Sequence, residues 1–363
     1  MPLRALLDGQ DLVAPSLSGT DWDDLRREVR SGAHALTLPC CGRPAFQRTS
    51  HRGLRHFYHA PDARCDEQGE TLDHLHAKLA IMRGCEAAGY EARPEWTDGG
   101  WRADVRAVRG RVRIAFEVQW SRQTLAETAA RQERYGAAGV RGCWFFRIPP
   151  LGLQRTGNDR SVEARRDLPL FELQQDECHA SRVYLNGRHH ALDAFVTALL
   201  TGKVRFCSRV WIPRWQQVTL RFFGVGCRRC GRASHVYCLE RRSYASPCGV
   251  EVPLHSDWRD TASPALRNEV QRAAWVFLRS DEGLRLRVGT IKPRPVWARE
   301  RISFGCFHCD AAFDGGALRR IEDEVEKTGD WAAVHHTTVA MARSFTRKRH
   351  HWCYPDDEAY CAG

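Results

Sequence analysis

Glu70, His74 and Lys78 recur at i, i+4 and i+8, the spacing that stacks side chains along one face of a helix. Further on, the string R-A-D-V-R-A-V-R-G-R-V-R-I-A-F-E-V-Q puts Asp104 on one arm of an expected hairpin and Glu117 and Gln119 on the other. A turn on Gly110-Arg111, a Gly-x pair suited to a two-residue loop, sets Asp104 across from Glu117. Cross-strand partners share a face with Cβ atoms about 5 Å apart, and Gln119 joins that face by the period of two. Carboxylates that close repel one another unless a cation lies between them. Mg²⁺, or Mn²⁺ in its place, favours a few carboxylate oxygens, with waters and substrate phosphate completing the shell. The expected cation ligands are therefore Asp104 and Glu117.

The elements that must position these groups follow from periodicity. Residues 1 to 30 read as a short hairpin and then a helix opened by Thr20 or Asp21. Residues 70 to 88 read as a helix, with Leu75, Leu79, Met82 and Ala87 as its apolar stripe and Gly89 ending it. Strands are expected over 90–97, 102–108 and 112–120, a second helix over 124–138 and a buried strand over 142–148. The resulting order is α-β-β-β-α-β. A loop at 155–163, strands at 168–173 and 181–187 with a turn at Asn186-Gly187, and a short helix ending at Gly202 continue this part.

Fifteen cysteines in a chain without a signal-like N-terminus read as metal ligands or buried thiols. G-V-G-C-R-R-C-G and F-G-C-F-H-C-D have the shape of zinc knuckles, and Cys227, Cys230, Cys306 and Cys309 together make a Cys₄ set for structural Zn²⁺. Cys238 and Cys248 form a competing set with the first pair, and Cys353 and Cys361 with the second. A looser cluster comprises Cys40, Cys41, His59 and Cys65. Adjacent cysteines do not easily both reach one tetrahedral ion, so one of Cys40 and Cys41 is expected to ligate with His59 and Cys65.

The 363 residues allow two or three domains, here 1–66, 67–208 and 209–363. A formal net charge of +11, nearly all of the basic charge being arginine, favours a polyanionic partner. Residues 206–250 hold eight arginines and one acid, interleaved with aromatic side chains. Arg228, Arg229 and Arg232 on the first knuckle, and Arg131 on the second core helix, are the expected contacts to that polyanion. No run approaches the ~18 apolar residues of a membrane span, so a cytoplasmic location and no membrane partner are expected.

These motifs resemble the competence protein CoiA-like family of the PD-(D/E)XK nuclease superfamily, over roughly residues 36–150. P-C-C-G and His56-Phe57-Tyr58-His59 are similar to the family's cysteine pair and H-F-x-H string, with Leu38 where the first cysteine of C-P-x-C stands. The stretch from Glu70 through His74 to Lys78 is similar to E-S-x-x-H-x-x-x-K, with Thr71 for serine. Arg102-Ala103-Asp104-Val105 resembles R-x-D-V, and Glu117-Val118-Gln119-Trp120-Ser121 resembles E-x-Q-x-S. Arg131 and Tyr135 match a later R-x-x-x-Y. The resemblance implies an α/β (α+β) restriction-endonuclease-like core and metal-dependent hydrolysis of DNA, single-stranded or branched, in recombination, competence or defence. It further implies Glu70 as an additional cation ligand, Lys78 and His74 as candidates to meet developing negative charge, Gln119 to orient a water, and DNA as the polyanion that Arg131, Arg228, Arg229 and Arg232 contact. The Cys/His module before that core and the zinc-ribbon-like part after it complete the expected architecture. Two other readings stay open: a catalytically silent zinc-containing DNA-binding protein, and an interaction module of a recombination or defence assembly.

Overall fold

The structure, a computed structural model, describes residues 2–59, 65, 70–98, 100–150, 164–241, 243–254, 264–296 and 299–361. The loop expected at 155–163 lies outside them. The chain divides into two compact units, residues 1–207 with 350–354, and residues 208–349 with 355–363. The first unit thus joins the stretches expected as 1–66 and 67–208.

In the first unit, β1 (Arg4–Leu7) and β2 (Gln10–Val13) form a hairpin, extended by β3 (Leu36–Thr37). Helix α1 (Gly19–Ser31) begins earlier than expected because Ser18 closes a capping box: its hydroxyl accepts from Asp21 N, and the Asp21 carboxylate accepts from Ser18 N. A second hairpin, β4 (Ala45–Thr49) and β5 (Arg55–His59), carries the H-F-Y-H string. Then come α2 (Leu72–Ala87), β6 (Glu91–Asp98), β7 (Trp101–Arg109), β8 (Val112–Gln119), α3 (Leu125–Ala137) and β9 (Arg141–Phe146), in the order α-β-β-β-α-β. β10 (Leu170–Gln175), β11 (Ser181–Leu185), β12 (Arg188–Ala191) and α4 (Leu192–Leu200) follow. Asn186 and Gly187, at φ 49° and 82°, make the tight turn between β11 and β12.

Seven strands form one sheet in the order β12-β11-β10-β9-β8-β7-β6. β9 runs parallel to β8, with α3 as the crossover that parallel neighbours need, and it also runs parallel to β10. Alternation along the strands sorts the two faces. Phe116, Val118 and Phe145 pack with Leu75 and Ile81 of α2 and Phe195 of α4. Ala115, Trp144 and Phe146 pack with Tyr135 of α3 on the other face. Gly84 lets α2 and α4 close on each other, since a Cβ there would lie 2.5 Å from the Asp193 carbonyl oxygen.

The β7–β8 register is the one the turn dictates, from Arg109↔Val112 to Val105↔Phe116, and its pairing ends there. Ala103 belongs to the α3-side core and Val105 to the α2-side core. Residues two apart on a regular strand share a face, so β7 reverses its facing at Asp104. On β6, Glu95 lies between the pairs Pro94↔Val105 and Trp96↔Ala103 and takes a left-handed φ of 45°. Both strands are thus irregular at the same level, and there Asp104 and Glu95 turn towards α2.

The second unit holds a three-stranded antiparallel sheet of Ala233–Leu239, Trp215–Gly226 and Ala333–Ala340, in that order. Helices Pro264–Phe277 and Gly315–Thr328 contribute Val270, Phe277 and Leu318 to a core with Leu220, Phe222 and Phe304. Six α-helices and several sheets among the described residues make this a mixed α/β protein. No helix among those residues is long and apolar enough to cross a membrane.

Candidate metal centres and the polar core of the sheet

Thr71 caps α2 by accepting from His74 N at 3.2 Å. The helix then presents His74 and Lys78 to the irregular end of β7, and Glu70, expected on the same helix face, joins them from just before the Thr71 cap. Lys78 is fully buried, a costly place for an ammonium unless it is paired. Its three donors meet three carboxylates: Glu70, Glu95 at 3.2 Å and Asp104 at 3.2 Å. Burial alone would lower the Lys78 pKa, but the charges of Asp104, Glu95 and Glu70 outweigh it and hold the amine well above its usual value. Burial likewise acts to raise Asp104. Lys78, His74 and the backbone N–H of Val118, which donates to Oδ2 at 2.8 Å, overcome it and keep the carboxyl below the usual carboxylate range.

Glu70, His74 and Asp104 bring ligand atoms within 4.8 Å of one another. His74 Nε2 lies 3.5 Å from Asp104 Oδ2, and His74 Nδ1 lies 3.8 Å from Glu70 Oε1. The imidazole stacks on Trp120, ring centres 6.0 Å apart, which fixes its plane. Of the buried atoms here, Glu70 Oε2 has no hydrogen-bond partner, and His74 Nε2 has only the long approach to Asp104 Oδ2. A buried acceptor without a partner, beside more carboxylates than Lys78 can neutralise, is what a bound cation would satisfy. The donor set therefore fits a divalent cation.

Glu117 is not in that group. Its position opposite Asp104 follows the register, but its carboxylate points to the α3 face, where Arg131 Nη2 lies 2.6 Å from Oε2 and the Tyr135 hydroxyl contacts Oε1. The expectation that Asp104 and Glu117 share a face is thus corrected: the reversal at Asp104 sends the two carboxylates to opposite faces. Burial first, and the Asp104 charge second, push the Glu117 carboxyl up to about 8 against the pull of Arg131 and Tyr135. The hydroxyl of Tyr135 also lies 2.5 Å from the Arg102 carbonyl oxygen. One O–H proton cannot serve two acceptors, so a protonated Glu117 completes the set by donating to the Tyr135 oxygen.

Gln119 lies on the Glu117 side, its amide donating to Ser121 Oγ at 3.1 Å. The expectation that Lys78 meets charge on a substrate is corrected as well, because its donors are all committed to carboxylates. Glu95 had no signal in the sequence. It accepts from Leu3 N at 3.1 Å and from Arg4 N at 3.0 Å, and so ties β1 to the Lys78 cluster.

The cysteine sets can hold metal ions such as zinc. Cys227, Cys230, Cys306 and Cys309 form one group, with Cys227–Cys309 at 3.7 Å and Cys230–Cys306 at 3.6 Å between sulfurs. Zn–S bonds of ~2.3 Å in a tetrahedron put sulfurs roughly 3.8 Å apart. The two knuckles share one backbone pattern: Gly231 N donates to Cys227 O and Asp310 N to Cys306 O, each at 2.9 Å, with the donors at φ 72° and 55°. Cys238 and Cys248 are outside the group. Arg228, Arg229 and Arg232 are exposed on the first knuckle.

Cys40, Cys41, His59 and Cys65 form a second such group. Cys40 Sγ lies 3.8 Å from both Cys65 Sγ and His59 Nε2, and Cys41 Sγ lies 3.7 Å from His59 Nδ1. Both adjacent cysteines join it, where one was expected. The turn after Leu38, with Gly42 N bonded to Leu38 O at 2.8 Å, brings the two sulfurs to one side. No family model, curated protein or solved structure matches this chain significantly.

Proposed function

We propose that this protein is a divalent-cation-dependent DNA nuclease of the PD-(D/E)XK type, related to the CoiA-like proteins its motifs resemble. The observation that carries the reading is the group of Glu70, His74 and Asp104 around the buried Lys78, with Glu70 Oε2 lacking a partner. The α-β-β-β-α-β order, with Asp104 on its second strand and Glu117 on its third, supports it as well.

Asp104, Glu70 and His74 would hold the cation. When bound, it would lower the pKa of a coordinated water and offset negative charge on the phosphate under attack. Lys78 is a positioning residue: it draws Glu70, Glu95 and Asp104 together and keeps Asp104 ionised. Trp120 sets the plane of His74. Arg131, itself oriented by Glu117, faces the phosphate backbone. An imidazole nitrogen among the ligands suits Mn²⁺ better than Mg²⁺. The cysteine groups hold structural zinc, and the exposed knuckle arginines add contacts to phosphate.

Cleavage of linear single-stranded DNA tests the proposal. The parent cleaves in Mn²⁺, less in Mg²⁺ and not in EDTA, and Asp104→Asn loses at least about 100-fold. Cleavage that persists in EDTA, or that Asp104→Asn matches, would defeat it. The engagement of Glu117 by Arg131 and Tyr135 favours the second reading, a catalytically silent DNA-binding protein. Binding without cleavage in either cation would establish that reading instead.

A further inference from the structure

The second unit carries an aromatic ring that its own core does not use. Phe307 stands between the cysteines of the knuckle Cys306–Cys309, at the position that Arg228 takes in the knuckle Cys227–Cys230. Its side chain is 50% exposed. A single exposed phenylalanine is ordinary on a protein surface, but this one is pinned in place. Its backbone N–H donates at 3.1 Å to the hydroxyl of Ser234, a fully buried residue. The His308 ring meets it edge-on, with centres 5.2 Å apart and planes at 88°, and His308 Nε2 lies 3.2 Å from the Ala233 carbonyl oxygen. The Arg287 guanidinium lies over the phenyl ring, 5.8 Å from its centre.

The charge around the two knuckles is one-sided. Arg228, Arg229, Arg232 and Arg287 are exposed, and none of them is ion-paired among the described residues. Other exposed arginines of this unit do find acids: Arg241 pairs with Glu251 and Arg272 with Glu269, each at 2.6 Å. The carboxylate beside the second knuckle, Asp310, is taken up by Lys292 at 2.5 Å and by Arg294. A zinc ion on four thiolates carries roughly two negative charges, so the four guanidinium groups leave this end of the unit positive. Arg287 is anchored through its backbone: its N–H donates to His235 Nδ1 at 3.0 Å, and its carbonyl accepts from His235 N at 2.8 Å. Ring and cations are therefore held together on one rigid platform.

We propose that Phe307 is a stacking platform for an unpaired base, and that Arg228, Arg229 and Arg287 hold the phosphates on either side of it. The occupant is a single strand of DNA. The inference rests on the nuclease reading for that identity, and extends it by naming the residue through which the second unit tells a single strand from a duplex. An aromatic face accepts any base, since every base has a π surface. A duplex keeps its bases stacked on one another and offers this platform only its phosphates. The arginines alone would hold both forms, so the discrimination falls to Phe307.

Fluorescence anisotropy on the zinc-loaded full chain, with no Mn²⁺ or Mg²⁺ added, compares a labelled single strand of mixed sequence with the duplex it forms with its complement. The parent binds the single strand at least about tenfold more tightly. Phe307→Ala weakens single-strand binding about tenfold with the salt slope unchanged, and leaves duplex binding as it was. Phe307→Trp keeps an aromatic face and binds as the parent does. Arg287→Ala instead lowers the salt slope on the single strand by roughly 0.7, the loss of one phosphate contact. Zinc content is measured on every variant, and Phe307→Trp and Arg287→Ala carry the test should Phe307→Ala lose its metal. No binding by the parent, equal affinity for the two DNA forms, or parent-like binding by Phe307→Ala overturns the platform, as does an equal loss on both forms. Absence of cleavage with this binding pattern intact leaves the platform standing and falls on the nuclease reading alone.

Discussion

Asp104 and Glu117 occupy facing positions one step beyond the last paired residues of β7 and β8, yet their carboxylates are held from opposite faces of the sheet. Lys78 of α2 grips one at 3.2 Å and Arg131 of α3 grips the other at 2.6 Å. The two acids therefore take different roles. Asp104 is kept ionised beside the unpartnered Glu70 Oε2, and Glu117 is raised towards neutrality.

The protonation of Glu117 makes a prediction about stability and pH. Its carboxyl stands at about 8 in the folded chain against an ordinary 4.5. A raised value means the folded state binds the proton more tightly, so this contribution is full below about 4.5 and is lost as pH rises through about 8. Glu117→Gln imitates the neutral acid. Urea unfolding of the parent should lose stability between pH 6 and 9, at up to ~1.4 kcal/mol per pH unit. The variant should lose less, and parallel profiles would count against a neutral Glu117.

Lys78 is the keystone of the polar core. Removing a buried ion pair's partner typically costs about 3–5 kcal/mol, since the charges left behind stay desolvated. Lys78→Met, similar in volume, should lower stability by that order, measured by denaturant unfolding at neutral pH. Because the cost is repulsion among Glu70, Glu95 and Asp104, it should shrink when Asp104→Asn is added. A double variant no more stable than Lys78→Met would show that the ammonium is not balancing those acids.

The sulfur groups predict zinc content. Cys306→Ser should release one zinc ion per chain relative to the parent and lower the unfolding midpoint of the second unit, by inductively coupled plasma analysis and calorimetry. Cys40→Ser should release one ion independently. Unchanged zinc in either variant would remove that group as a metal site.

Much of this architecture was legible in the sequence because its signals are local. The Gly110-Arg111 turn gave the β7–β8 register, and the stripe through Leu75, Leu79 and Met82 gave α2. The CxxC strings, each followed by a residue able to take left-handed φ, gave the Cys₄ group. The facing of Asp104 was not legible. Period-two reasoning assumes a regular strand, and the reversal depends on Glu95 adopting φ 45° and on its bonds to the backbone of Leu3 and Arg4, more than 90 residues away in sequence. The commitment of Lys78 to three carboxylates was hidden for the same reason, since one of them is Glu95.

Mn²⁺ binding by electron paramagnetic resonance tests the central claim, that Glu70, His74 and Asp104 hold the cation and Glu117 does not. Measured on the zinc-loaded chain without DNA, the parent should bind Mn²⁺, Asp104→Asn should bind at least about tenfold more weakly, and Glu117→Gln should bind as the parent does. Parent-like affinity in Asp104→Asn, or its loss in Glu117→Gln, would contradict the account.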